Sequence, residues 1–171
     1  VNLVSFSGDK LLGGQQAGFL VGDAELVARA RKNPLFRALR VDKLVVKALA
    51  ETLRRLVFEK YDEIPALRML RMTADEILAR AERFRGPSVE IIAGESVAGG
   101  GSTPDQTLPT WLIAISGDAV EIEKRLRAKN IIARIQDDRV VIDLRTVFAE
   151  EDGDLIQALF HAKAQSSQRT P

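Results

Sequence analysis

The 171-residue chain reads as a mixed α/β protein in two parts. Three observations lead there. Val45, Leu49, Leu53, Leu56 and Val57 recur at helical spacing opposite Lys47, Glu51, Arg54 and Arg55, which predicts one long amphipathic helix over 42–60. Ahead of it, two short apolar runs bounded by glycine and polar turns read as strands. Behind it, helix signals and short apolar runs alternate as α-β-β-α-β-β-α, a compact sheet covered by helices.

Taken in order, Asn2 to Phe6 alternates like a strand, and Ser7-Gly8-Asp9-Lys10-Leu11-Leu12-Gly13-Gly14 is a polar, glycine-rich turn. Ala17 to Val21 is a second strand ended by Gly22. With so few residues before Lys10, a strand starting at Asn2 is expected to lack neighbours. Asp23 caps a helix that stops near Asn33, and Asn33-Pro34 opens another turn. Tyr61 to Pro65 breaks the long helix and reads as a linker. Thr73-Ala74-Asp75-Glu76 is a capping box for a helix to about residue 85, ended by Gly86-Pro87. Val89 to Ile92 is a strand, Ala93 to Pro109 a long irregular loop, and Trp111 to Ile115 a strand.

Asp118 caps a helix over 119–129. Ile131 to Ile135 and Val140 to Leu144 pair across Asp137-Asp138. A helix over about 152–163 carries Asp152 and Asp154 at its start, as the helix dipole favours. The expected domains are therefore 1–62, resembling the edge of a larger sheet with its connecting helix, and 63–164, a small lobe. A polar tail, 165–171, is expected to be disordered.

Composition excludes several functions. There is no cysteine and one histidine, His161, so thiolate chemistry, disulfides and the common zinc sites are not expected, nor any metal site. The absence of cysteine fits a cytoplasmic protein. No apolar run approaches the roughly 20 residues that span a bilayer. The formal charge of +1 points to neither a nucleic-acid-coating surface nor an acidic partner. The chain opens without Met, directly into a strand, as a fragment or a processed chain would.

Lys10 ends a strand and enters a glycine-rich turn behind Ser7. A lysine that binds an aldehyde cofactor must attack it as the neutral amine, a nearby hydroxyl can bond a cofactor phosphate, and glycines let the backbone approach closely. The alternative is a solvated surface lysine. The segment Phe6-Ser7-Gly8-Asp9-Lys10-Leu11-Leu12-Gly13-Gly14-Gln15-Gln16-Ala17-Gly18 closely resembles the cofactor-lysine segment of the selenocysteine synthase (seryl-tRNA selenium transferase) family. The family commonly has Pro-Gln where this chain has Gln15-Gln16. Three later segments are similar to family motifs in the same order: Asn33 to Lys43, Gly99 to Pro104 (with Thr103 where leucine is usual), and Asp143-Leu144-Arg145-Thr146.

The resemblance implies an aspartate-aminotransferase-like, fold type I enzyme that uses pyridoxal 5'-phosphate (PLP). Residues 1–62 would be the end of its large cofactor domain and 63–164 its C-terminal α+β small domain. It implies that Lys10 forms the Schiff base with PLP, that Asp9 stands beside it as the second catalytic position, and that Ser7 contacts the cofactor. The reaction implied is conversion of seryl-tRNA(Sec) to selenocysteinyl-tRNA(Sec) with selenophosphate, in a homo-oligomer built from dimers. The tRNA would be bound mainly through an N-terminal part outside this chain, and the chain by itself would be inactive.

Arg37 and Arg40 lie three apart, share a helix face, and sit near a helix start, which suits a phosphate-like oxyanion. The resemblance gives them the phosphate end of the selenium donor, and the alternative is a solvated basic face. Arg145 ends a strand where related fold type I enzymes often grip a substrate carboxylate, the alternative being an ion pair with Asp143 or Glu150. Ser102, in the glycine loop, could donate to a substrate. Trp111 and His161 read as structural. Two other functions remain open at this point. One is a lyase-like fold type I enzyme acting on a small or phosphorylated amino compound. The other is an isolated small domain serving as a non-catalytic interaction module.

Overall fold

A computed structural model describes residues 1–99 and 106–164, with side chains as far as residue 159. Ser102, most of the glycine loop, the side chain of His161 and the tail 165–171 lie outside the described residues. The chain divides into two compact units, the first built on Val1–Arg71 and the second beginning at Met72.

In the first unit, β1 (Leu3–Ser7) pairs antiparallel with β2 (Gly18–Gly22), so the opening strand does have a neighbour. Phe6 stands opposite Phe19, and their rings stack with centroids 4.8 Å apart. Asp23 accepts from the amides of Glu25 and Leu26 and starts α1 (Ala24–Lys32). Asn33 then caps α2 (Pro34–Leu39), with Pro34 in the first turn.

Asp42 caps α3 (Lys43–Val57), whose buried contact is Leu49. The helix ends before residue 60 because Glu59 turns left-handed, φ 56°, and Lys60 N bonds back to Arg55 O. Tyr61 to Pro65 is not a linker. It forms a single 3-10 turn (Tyr61–Glu63), then the buried Ile64, and runs into α4 (Pro65–Arg71). Ile64 is buried, and the segment belongs to the first compact unit, which includes Val1–Arg71.

The second unit begins with α5 (Ala74–Ala81), opened by the expected Thr73/Glu76 capping box. A four-stranded antiparallel sheet follows in the order β3-β4-β6-β5. Its strands are β3 (Val89–Val97), β4 (Thr107–Ile115), β5 (Arg134–Gln136) and β6 (Arg139–Asp143). Both β3 and β4 extend well into the segment expected to be a loop. Gly94 and Ser96 look like loop residues in sequence, but Gly94 stands opposite Thr110, and a Cβ on it would fall 2.5 Å from Leu112 Cδ1.

Helix α6 (Ala119–Arg127) is capped by Asp118. The β5–β6 turn is two residues, Asp137 and Asp138, both left-handed as such hairpins require. Helix α7 (Asp152–Ala164) closes the unit. Ile77, Phe84, Ile91, Ile113, Leu126 and Ile142 centre the core, and Trp111 packs against it. No helix among the described residues is long and apolar enough to cross a membrane.

Candidate cofactor-lysine site

Lys10 sits on the β1–β2 connection, which folds back on itself through glycine contacts. Gly8 N donates to Ala17 O and Gly14 N to Gly8 O, both at 2.8 Å, and Gly13 N donates to Lys10 O at 3.0 Å. A Cβ on Gly8 would sit 2.6 Å from Gln15 O, and one on Gly14 would sit 3.0 Å from Leu49 Cδ2. Gly13 takes φ +70° and lies so close to Ile64 that a Cβ would come within 2.7 Å of its Cγ2. The turn is thus seated on α3 and Ile64 by its glycines, while the side chains of Asp9 and Lys10 are exposed.

Ser7 Oγ donates to Asp9 Oδ1. That bond first, then the backbone amide of Asp9 and the neighbouring charge of Lys10, holds the Asp9 carboxyl below the usual carboxylate range. Ser7, Asp9 and Lys10 therefore form one local cluster. The hydroxyl hydrogen of Ser7 is directed at Asp9.

Arg37 and Arg40 are both exposed and lie between the end of α2 and Asp42, the N-cap of α3. Arg37 is in the last turn of α2 and Arg40 is its extended C-cap residue, φ −66° and ψ 124°. The helix dipole at that end attracts cations and offers an anion nothing. Any oxyanion held here is held by the guanidiniums themselves.

Arg145 is 4% exposed and its guanidinium is committed inside the second unit. Nε donates to Ser96 Oγ at 3.0 Å, Nη1 to Met72 O at 2.6 Å and Nη2 to Pro109 O at 2.7 Å. Burial pushes the group below its ordinary value, and the charge of Asp143 opposes that shift. Its backbone amide bonds Asp143, which also receives the hydroxyls of Ser96 and Thr110. A guanidinium so enclosed ties Met72, β3 and β4 together inside the second unit. Ser96 and Thr110 were hidden in sequence by the loop-like composition of their segment. Arg80 was likewise inconspicuous, yet it meets the buried Asp152 at 2.5 Å.

Residues 1–148 match the SelA family model, L-seryl-tRNA selenium transferase. The chain belongs to the L-seryl-tRNA selenium transferase family. Curated relatives named L-seryl-tRNA(Sec) selenium transferase agree throughout. The protein from Wolinella succinogenes is 41% identical over 165 residues, covering 92% of this chain and 37% of that protein. That from Aquifex aeolicus is 40% identical over 163 residues (88% and 36%), and that from Sulfurimonas denitrificans 40% over 168 residues (94% and 36%). The chain spans little more than a third of the length of the relatives it matches.

Selenium transferases of this family are PLP-dependent enzymes of fold type I, and the mixed α/β architecture agrees with that class. The turn fits such a cofactor in one respect that the structure makes concrete. A primary amine is exposed on a backbone that cannot accept a side chain at Gly8. Lys10 is the residue here that could hold the cofactor, with Ser7 and Asp9 adjoining it.

Proposed function

We propose that this chain is the cofactor-lysine-bearing portion of a selenium transferase, comprising the end of the large domain and the C-terminal small domain. The full-length protein would convert seryl-tRNA(Sec) to selenocysteinyl-tRNA(Sec) with selenophosphate. The observation that carries the reading is the Lys10 turn, closed by its glycines and lying inside the segment matched to the family.

In this reading Lys10 Nζ carries PLP, which when bound supplies the electron sink for loss of the seryl hydroxyl as water. Lys10 Nζ, freed when the substrate amine takes its place on the cofactor, would take the proton leaving the seryl Cα and pass it to the departing hydroxyl, and would relay a proton from solvent to Cα when selenium adds. Asp9, held as a carboxylate by Ser7, keeps negative charge beside that amine. Arg37 and Arg40 receive the phosphate end of the selenium donor with charge-assisted bonds. The protein would act as a homo-oligomer built from dimers, and this chain alone would not turn over.

The test uses the full-length protein. Borohydride reduction with PLP present, followed by peptide mapping, should place the label on Lys10. Lys10→Ala should abolish turnover of seryl-tRNA. Label on Lys43 or Lys47 would overturn the assignment, and preference for a small free amino acid over seryl-tRNA would favour a lyase-like enzyme.

A further inference from the structure

The near-neutral total charge conceals a strong asymmetry. From Arg29 to Lys47 there are seven basic residues and one acid, giving the span +6, while the remaining 18 basic and 23 acidic residues give the rest of the chain −5. All seven cations are exposed. Among the described residues none of them is in an ion pair, whereas Arg54, Arg55 and Lys60 of the same unit are each answered by Glu51 or Glu63. The one acid, Asp42, is occupied in capping α3, accepting from Leu44 N at 2.7 Å and Val45 N at 3.0 Å.

Helix stability accounts for part of this pattern only. Arg29, Arg31 and Lys32 fall in the last turn of α1, where the dipole favours cations. Lys43 opens α3, at the end that disfavours them, and that first turn has no acid. Lys47 follows one turn later, about 6 Å along the axis and on the same side, so the two repel each other. Val45, Ala48, Leu49 and Thr52 face inward, leaving the Lys43–Lys47 edge to solvent. Such a row lowers the stability of the isolated helix, and a polyanion is the partner that offsets it.

We infer that the cationic span from Arg29 to Lys47 is a docking surface for the sugar-phosphate backbone of RNA, receiving the aminoacylated arm of the tRNA. The inference rests on the proposed function and adds a second RNA contact, inside this chain. A selenium donor needs only the two guanidiniums of Arg37 and Arg40. The five cations that flank them, on α1 and on α3, extend the charge in both directions along the chain, as a polymer of phosphates requires and a single phosphate does not.

Two measurements on the full-length protein test this. In the first, lysine acetylation is mapped with and without tRNA. Lys32, Lys43 and Lys47 should be protected, while the exposed Lys124 and Lys129 of the second unit should not. In the second, affinity for uncharged tRNA is measured against salt for R29Q/K32Q and K43Q/K47Q. Each pair should bind about tenfold more weakly at low salt, with the salt slope reduced by roughly 0.7–0.9 for each phosphate left unneutralised. K43R/K47R should restore both.

Unchanged acetylation of the three lysines, or unchanged affinity and slope, overturns the inference. So does a fall in oligomer mass with RNA affinity intact, which would make this face a protein interface. Failure of the proposed function is separable, because label trapped on a residue other than Lys10 would leave RNA protection of these lysines in place.

Discussion

Arg145 Nη1 donates to Met72 O at 2.6 Å, so the residue that opens the second unit is held by the one that leaves its sheet. The same guanidinium reaches Pro109 O on β4 and Ser96 Oγ on β3. Truncating it removes the guanidinium bonds of two carbonyls and leaves the Ser96 hydroxyl with its Asp143 bond. Arg145→Ala should therefore lower unfolding stability by about 3 kcal/mol or more, read by urea denaturation. Unchanged stability together with a raised KM for the seryl substrate would favour the substrate-gripping role.

Gly8 and Gly13 should be the least replaceable residues of the lysine turn. An alanine at Gly8 meets Gln15 O, and one at Gly13 meets Ile64 from a left-handed backbone. Each substitution should cost about 1–3 kcal/mol and reduce borohydride-trapped cofactor on Lys10. Gly18 has open space around its Cβ position, so Gly18→Ala is the control and should trap cofactor normally. Equal behaviour of all three variants would mean that the turn's closure does not position the lysine.

Arg37→Ala and Arg40→Ala should weaken use of selenophosphate by roughly ten- to a hundredfold, the cost of one charge-assisted bond. Cofactor binding should be unaffected, because both side chains are exposed and the side-chain cap of α2 is supplied by Asn33 at its other end. Steady-state kinetics against selenophosphate give the answer. Parallel loss of cofactor would show a structural role, and unchanged kinetics a solvated basic face.

The Ser7–Asp9 bond makes a pH prediction whose sign is set. The folded carboxyl titrates below its ordinary range, chiefly because Ser7 bonds it. Its contribution is present above the ordinary aspartate range and is lost as pH falls through the lowered folded value. Ser7→Ala should move the Asp9 titration upward, toward the ordinary value, in a carbon-detected NMR titration. An unmoved Asp9 would mean that its own amide and Lys10 suffice.

Much of this organisation was legible in the residues. The helix starts at Asp23, Asn33, Asp42, Thr73 and Asp118 were readable because a cap is a bond between neighbours in sequence. The lysine turn was readable for the same reason, since its glycines and Lys10 are consecutive or nearly so. The burial of Ile64 was not, because nothing in its neighbours marks it out until the chain has packed.

Residue order alone therefore determined most of the helix starts, the lysine turn and the family, and it missed α4. Tertiary structure alone decided the lengths of β3 and β4, where Gly94 and Ser96 oppose local preference and are held by Thr110, Leu112 and Asp143 from other strands. It also decided which groups the Arg145 guanidinium reaches and that Arg37 and Arg40 lie between the end of α2 and the N-cap of α3. These are questions of which acceptor a side chain reaches and which way a helix end points, and both depend on groups distant in sequence that meet only when the chain has packed.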